Sequence, residues 1–259
     1  MEWYYLYPII IVAGFFTGFI NTLAGCGSVL ALIALNLTGL PINIANGTNR
    51  VGILLQNAVA SYGFKKQGKL DVKQGLKLAV PVAFGAIAGS LLACYINPSD
   101  LKIIIGIVMV IVLISLFANQ KRWVQGKAKN AMIAPRMKIW HIVIYFFIGV
   151  YGGFIQVGLG VFLLTGLVML TGLNLIKGNA IKVIIILFMT IISLAIFAFQ
   201  GQIDWDIGVI MACGNMVGAW VATKEAAKRG AGFVRWLMIC IVAFAVLYYL
   251  GIFKLIMCK

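Results

Sequence analysis

Two positively charged side chains lie inside stretches that otherwise carry no charge, and they are the residues best placed to do chemistry. Arg50 follows Asn46, Thr48 and Asn49 in the run PINIANGTNRVGILLQN, and Lys182 follows Asn179 in a second apolar run. If those runs are helices beginning near residues 44 and 175, each cation sits about 10 Å below the interface, at roughly 1.5 Å per residue. A cation at the bilayer centre costs about 2.5–3.5 kcal/mol on insertion scales, which makes it a functional candidate by default. At helical spacing Asn46, Arg50, Asn57 and Ser61 share one stripe, with Asn49 at its edge, and Asn179, Lys182, Thr190 and Ser193 form another. This is the chemistry of an anion site. Arg50 can bond two oxygens at once, Lys182 acts as a point charge, and Asn46, Thr48, Asn49 and Asn179 can donate hydrogen bonds. The competing reading is that both cations snorkel to the headgroups, as Lys177, nearer its helix start, is expected to do.

The acids point the same way. Glu2 is terminal, and Asp71, Asp100, Asp204, Asp206 and Glu225 fall in loops or first turns. Asp71 and Asp204 read as caps of the helices that follow. A cation carrier or a carboxylate proton relay keeps an acid inside the membrane, and none is expected here. The single histidine, His141, is placed at the cytoplasmic edge, snorkelling at the interface, and no serine or cysteine has a visible base partner. The five cysteines, at 26, 94, 213, 240 and 258, form neither a disulfide framework nor a zinc spacing. No metal site, no cofactor and no enzymatic activity are expected.

The elements that carry these residues follow from composition. Of 259 residues, 63% are apolar and 10% charged, with a mean hydropathy of +1.06. Soluble domains run at about 45–50% apolar and about 25% charged, so a soluble fold is excluded. Apolar segments recur at about 3–23, 25–40, 44–64, 74–96, 101–118, 139–157, 159–173, 174–199, 207–223 and 233–253. Backbone in lipid must bond internally as helix or closed barrel, and runs such as 103–116 show no two-residue alternation. The expectation is an all-α, multi-pass integral membrane protein. The N-terminus has no basic region and no cleavage site; Trp3, Tyr4, Tyr5 and Tyr7 read as an interfacial aromatic belt. The net charge of +15 is concentrated in loops 65–73, 119–138 and 224–235, which places those loops in the cytoplasm rather than forming a nucleic-acid surface.

The chain also matches itself at a constant offset of 133: Gly25 falls on Gly158, Gly27 on Gly160, Asn46 on Asn179, Gln67-Gly68 on Gln200-Gly201, Asp71 on Asp204 and Gly85 on Gly218. The basic loop 65–73 then corresponds to an acidic one at 200–206, so the two copies are expected to be inverted. Five segments per half, an odd number, agree. The division is an N-terminal membrane repeat over 1–118, a basic cytoplasmic linker over 119–138 and an inverted C-terminal repeat over 139–259. Inverted repeats characterise secondary transporters, with the substrate near the midplane at the repeat interface. The first two segments of each half are short and joined at Gly25-Cys26-Gly27-Ser28 and at Gly158-Leu159-Gly160. Two tilted spans and a re-entrant hairpin both fit these breaks. The anion is expected between them, facing the positive N-terminal ends of the helices that follow; the plainer reading is that the glycines only allow close packing.

Gly25-Cys26-Gly27-Ser28, the run from Pro41 to Asn57, Gly68-Lys69-Leu70-Asp71 and Gly201-Gln202-Ile203-Asp204-Trp205 resemble the sulfite exporter TauE/SafE family over nearly the whole chain. The resemblance implies export of sulfite, a sulfonate such as sulfoacetate, or a related sulfur-containing anion across the cytoplasmic (inner) membrane of a prokaryote. Cys26 and the Val157-Gly158-Leu159-Gly160 turn depart from the commoner glycine-rich pattern and bear on pocket shape. The expected function is alternating-access export of a small anion, with the membrane potential as a candidate driving force. A passive anion channel and an intramembrane enzyme are the rival classes. The expected partners are a small anionic substrate and the lipid bilayer, with no nucleic acid and no oligomeric state specified.

Overall fold

The computed structural model describes residues 3–118, 139–171, 173 and 175–225. The linker 119–138, most of the basic stretch 224–235 and the apolar segment 233–253 lie outside them. Among the described residues every regular element is an α-helix: α1 (Trp3–Leu23), α2 (Ser28–Leu37), α3 (Ile42–Lys66), α4 (Val72–Tyr95), α5 (Pro98–Ala118), α6 (Ile139–Phe154), α7 (Leu159–Thr171), α8 (Leu175–Phe199) and α9 (Trp205–Glu225). Four of them, α1, α4, α8 and α9, contain a stretch long and apolar enough to cross a membrane. Helix α3 has 25 residues, so its length suffices, but its Asn46-Gly47-Thr48-Asn49-Arg50 stretch makes it more polar. All five of those residues are buried against other helices. Large apolar side chains such as Val80, Phe84, Leu92, Ile107 and Val217 face outward, as lipid-facing positions do.

The breaks fall at residues 24–27 and 155–158. Helices α2 and α7 have 10 and 13 residues, which is about 15 and 20 Å at roughly 1.5 Å per residue, short of the ~30 Å hydrocarbon core. Each folds back on the helix before it. Gly27 abuts Thr17 and Asn21 of α1. In the second pair, Gly152 faces Leu159, and Gly166 lies beside Tyr145 and Ile148. Tyr151 stacks edge-on against Phe162 at 5.2 Å between ring centroids, and its hydroxyl donates to the Val157 carbonyl. The two tips touch: the Gly160 N–H donates to the Gly25 carbonyl at 3.1 Å. Gly25 (φ +83°) and Gly158 (φ +70°) adopt the left-handed conformation that turns the chain, and a β-carbon on Gly25 would overlap the Gly160 backbone.

Four GxxxG pairs set the long-range packing. Gly14 and Gly18 of α1 meet Gly214 and Gly218 of α9, with Gly214 against Ile11 and Phe15, and Gly218 against Phe15 and Phe19. Gly85 and Gly89 of α4 meet Gly149 and Gly153 of α6, with Gly149 against Val82 and Gly153 against Ala86. Residue numbers rise together on both members of each pair, so α1 runs parallel to α9 and α4 parallel to α6. Without a hydrophobic driving force between helices in lipid, such small-residue contacts let backbones approach and gain dispersion energy.

The α3–α4 and α8–α9 turns are built alike. Lys69 N bonds Phe64 O at 3.0 Å, and Gln202 N bonds Phe197 O at 3.0 Å. Gly75 N bonds Asp71 O and Gly208 N bonds Asp204 O, each at 3.0 Å. Asp71 caps α4 through the Gln74 N–H and Asp204 caps α9 through the Ile207 N–H, each at 3.0 Å, as the sequence predicts. The Gln67 side chain then reaches the Thr223 carbonyl of α9 (3.1 Å), and that of Gln202 reaches the Cys94 carbonyl of α4 (2.9 Å). Each turn is tied to the end of a helix from the other part of the chain.

Candidate anion site at the hairpin tips

A helix that stops inside a membrane leaves its last carbonyls without partners and concentrates about half a negative charge there. In this fold the chain breaks after α1 and after α6, and each of those helix ends is met by a cation from a distant helix. Arg50 of α3 donates from Nη1 to the Gly152 carbonyl (2.8 Å) and from Nη2 to that of Gly153 (2.7 Å). Lys182 of α8 donates from Nζ to the carbonyls of Asn21 (3.1 Å) and Thr22 (3.3 Å). Both side chains are fully buried, which removes the snorkelling reading. The Arg50 guanidinium also lies 5.1 Å from the centroid of the Phe197 ring.

Asparagines complete each cap. The Nδ2 of Asn46 donates to the Phe154 carbonyl at 2.8 Å, and that of Asn179 to the Leu23 carbonyl at 3.3 Å. At the α6 end Ser90 Oγ lies within hydrogen-bond distance of both the Gly153 carbonyl (3.2 Å) and Ser193 Oγ (2.9 Å), while Gln156 donates to Thr190 Oγ1 (2.9 Å). At the α1 end Asn21 bonds both the backbone N–H (3.1 Å) and the hydroxyl (3.0 Å) of Ser28. The result is two polar clusters, one per hairpin end, with the tip contact of Gly25 and Gly160 between the hairpins.

The other expected site residues take varied places. Cys26 is buried at the α1–α2 tip, and Gly27 packs on α1. Asn57 donates to Ile53 of its own helix at 2.8 Å, and the Thr48 hydroxyl accepts from the Asp204 N–H at 2.9 Å. Those two are occupied in holding the fold. Asn49 is fully buried, and neither its Oδ1 nor its Nδ2 has a protein partner. His141 is buried beside Trp140, with ring centroids 4.2 Å apart, rather than at an exposed edge.

The first-turn N–H groups of α2 and α7 already have partners. Ser28 N is taken by Asn21 Oδ1, and Val29 N and Leu30 N bond Cys26 O and Gly27 O. In α7 the N–H groups of Leu159, Gly160 and Val161 bond Gln156, Gly25 and Gly158. The positive character of the site therefore comes from Arg50 and Lys182. Asn21, Ser90, Gln156 and Asn215 were not anticipated as buried polar residues. The sequence signal for each is a lone polar side chain in an otherwise apolar run, and Gln156 adds a non-glycine positive φ of 62°.

Among the described residues no group of acids, histidines and cysteines could hold a metal ion, and the acids sit at helix ends and turns. Two buried cations thus face only two helix ends. Those ends supply about half a negative charge each, so neither cation is fully neutralised by the end it meets.

A probable membrane transporter protein of Sinorhizobium, ORF9, is 27% identical over 238 residues, covering 92% of this chain and 90% of the relative. One from Haemophilus influenzae is 27% identical over 231 residues, covering 89% of each chain. YdhB of Bacillus subtilis, also named a probable membrane transporter protein, is 24% identical over 221 residues, covering 83% of this chain and 87% of its own. No solved structure matches the chain. The family model described as sulfite exporter TauE/SafE matches residues 10–249, and the chain therefore belongs to that family of membrane transporters.

Proposed function

We propose that this transporter exports a small anion, of the sulfite or sulfonate type, by alternating access between two inverted halves. The observation that carries the reading is the pair of fully buried cations, Arg50 and Lys182, with no buried carboxylate among the described residues. Helix ends of about half a negative charge each leave the two cations only partly neutralised, which suits an anionic solute. The sulfur chemistry is taken from the family description.

Several adjacencies support the inversion. Helix α1 runs with α9 and α6 with α4, while Gln67, in the turn that leads into α4, reaches the far end of α9. Helix α4 is then antiparallel to α9, and so α6 is antiparallel to α1. Each cation also holds the hairpin of the other half, so movement of one half is felt at the other's helix end. An incoming anion would compete with those carbonyls for Arg50 and Lys182 and loosen the caps. With the basic loops in the cytoplasm, the potential favours outward movement by about 2.3 kcal/mol per negative charge per 100 mV. The setting is the inner membrane of a prokaryote, the organisms of the relatives found.

The test is flux of labelled sulfite and sulfonates from proteoliposomes under an imposed potential. Arg50→Gln and Lys182→Gln are each expected to lower flux at least tenfold while folded protein remains. Undiminished flux in both variants would sink the site. Saturation with concentration separates this carrier from a passive anion channel.

A further inference from the structure

The amide oxygens of the two clusters are as informative as the cations. A backbone carbonyl only accepts, so the bonds from Asn46 to Phe154 and from Asn179 to Leu23 fix each amide with its nitrogen toward the helix end. Their Oδ1 atoms then have no donor among the described residues, and neither do Asn49 Oδ1 and Gln156 Oε1. All four side chains are over nine-tenths buried, with exposures of 1% for Asn46, 0% for Asn49, 7% for Asn179 and 3% for Gln156. Buried polar atoms are normally answered by a hydrogen bond. Asn46 and Asn179 occupy the same position in the two copies at the 133-residue offset, so the arrangement occurs at both hairpin ends.

A fully deprotonated oxyanion brings only lone pairs and would be repelled by these oxygens. An anion that also bears an O–H or N–H answers them, while its charged end takes the unpartnered donors Arg50 Nε and Asn49 Nδ2. We infer that the transported anion carries a hydrogen-bond donor, and that the amide oxygens of Asn46 and Asn179 read it. This rests on the solute being an anion. A site built to hydrogen-bond a hydroxyl rejects the analogue lacking it far more strongly than an apolar pocket separates solutes by one methylene.

The experiment is calorimetric binding to the purified full chain in detergent, comparing ethanesulfonate with 2-hydroxyethanesulfonate, which have the same charge. The hydroxylated anion is expected to bind at least about tenfold more tightly, and the ratio should collapse in Asn46→Leu and Asn179→Leu. Equal affinities in the unmodified protein overturn the inference, whether or not the variants fold, and leave the anion reading standing. So does a ratio that survives in folded forms of both variants. Binding of neither sulfonate, nor of sulfite at any pH, removes the anion reading and the inference with it.

Discussion

Arg50 and Lys182 perform the same task with different chemistry, and that difference can be measured. The planar Arg50 fork bonds two successive carbonyls, Gly152 and Gly153, at 2.8 and 2.7 Å. Lys182 spreads one ammonium over Asn21 and Thr22 at 3.1 and 3.3 Å. Lysine cannot reproduce the planar fork, so Arg50→Lys keeps the charge but loses the paired, aligned bonds to Gly152 and Gly153. That costs about 1–3 kcal/mol, and a lower midpoint of thermal unfolding in detergent is expected. Asn21→Leu removes the side chain that holds the start of α2, an N-cap-like bond worth about 1 kcal/mol, and should destabilise to a similar extent. Much of this cluster was legible beforehand, because an arginine and a lysine in charge-free runs stand out by cost alone. What they bind was not. The acceptors are backbone carbonyls more than a hundred positions away, and every residue has a carbonyl, so side-chain identity gives no sign of which are left open.

At the scale of the element, the informative residues are those that have no side chain. Gly85 and Gly89 press on the α6 backbone, and Gly149 and Gly153 press back on α4. A leucine at Gly149 would drive its β-carbon into the Val82 backbone, which rotamer changes cannot relieve. Overpacking of this kind costs about 1–3 kcal/mol, occasionally more, so Gly149→Leu should lower the yield of folded protein and its unfolding midpoint. Val217→Leu, on an exposed face of α9, should do neither. The sequence revealed the glycines at the breaks because their spacing recurs at the 133-residue offset. It did not reveal the α1–α9 and α4–α6 pairs, since four-residue spacing of small residues is common in greasy helices and carries no partner's name. The breaks themselves could be placed within a residue or two, whereas the fold-back direction depends on contacts such as Gly166 with Tyr145.

For the whole molecule, the consequence of these pairings is a topology that can be tested without knowing the substrate. Helices α3 and α9 run side by side, with Gly52 against Asn215 and Gly63 against Thr223. The loop at Lys69 is therefore at one end of the bundle, and the loop before Trp205 is at the other. Lysines 65, 66, 69 and 73 gather at the first end, and the inside preference of basic loops predicts that this end faces the cytoplasm. In a background without native cysteines, Lys69→Cys should react with an impermeant maleimide only after the membrane is opened, whereas Asp206→Cys should react in intact cells. Reaction of both from the same face would end the inverted arrangement, because two copies of one bundle with like orientation would place both turns together. It would also break the reciprocal capping: Arg50 and Lys182 hold opposite hairpins only if α1 and α6 enter from opposite faces. The labelling pattern thus bears on the proposed site as directly as on the fold, since the proposed route takes a solute from one cap past the other.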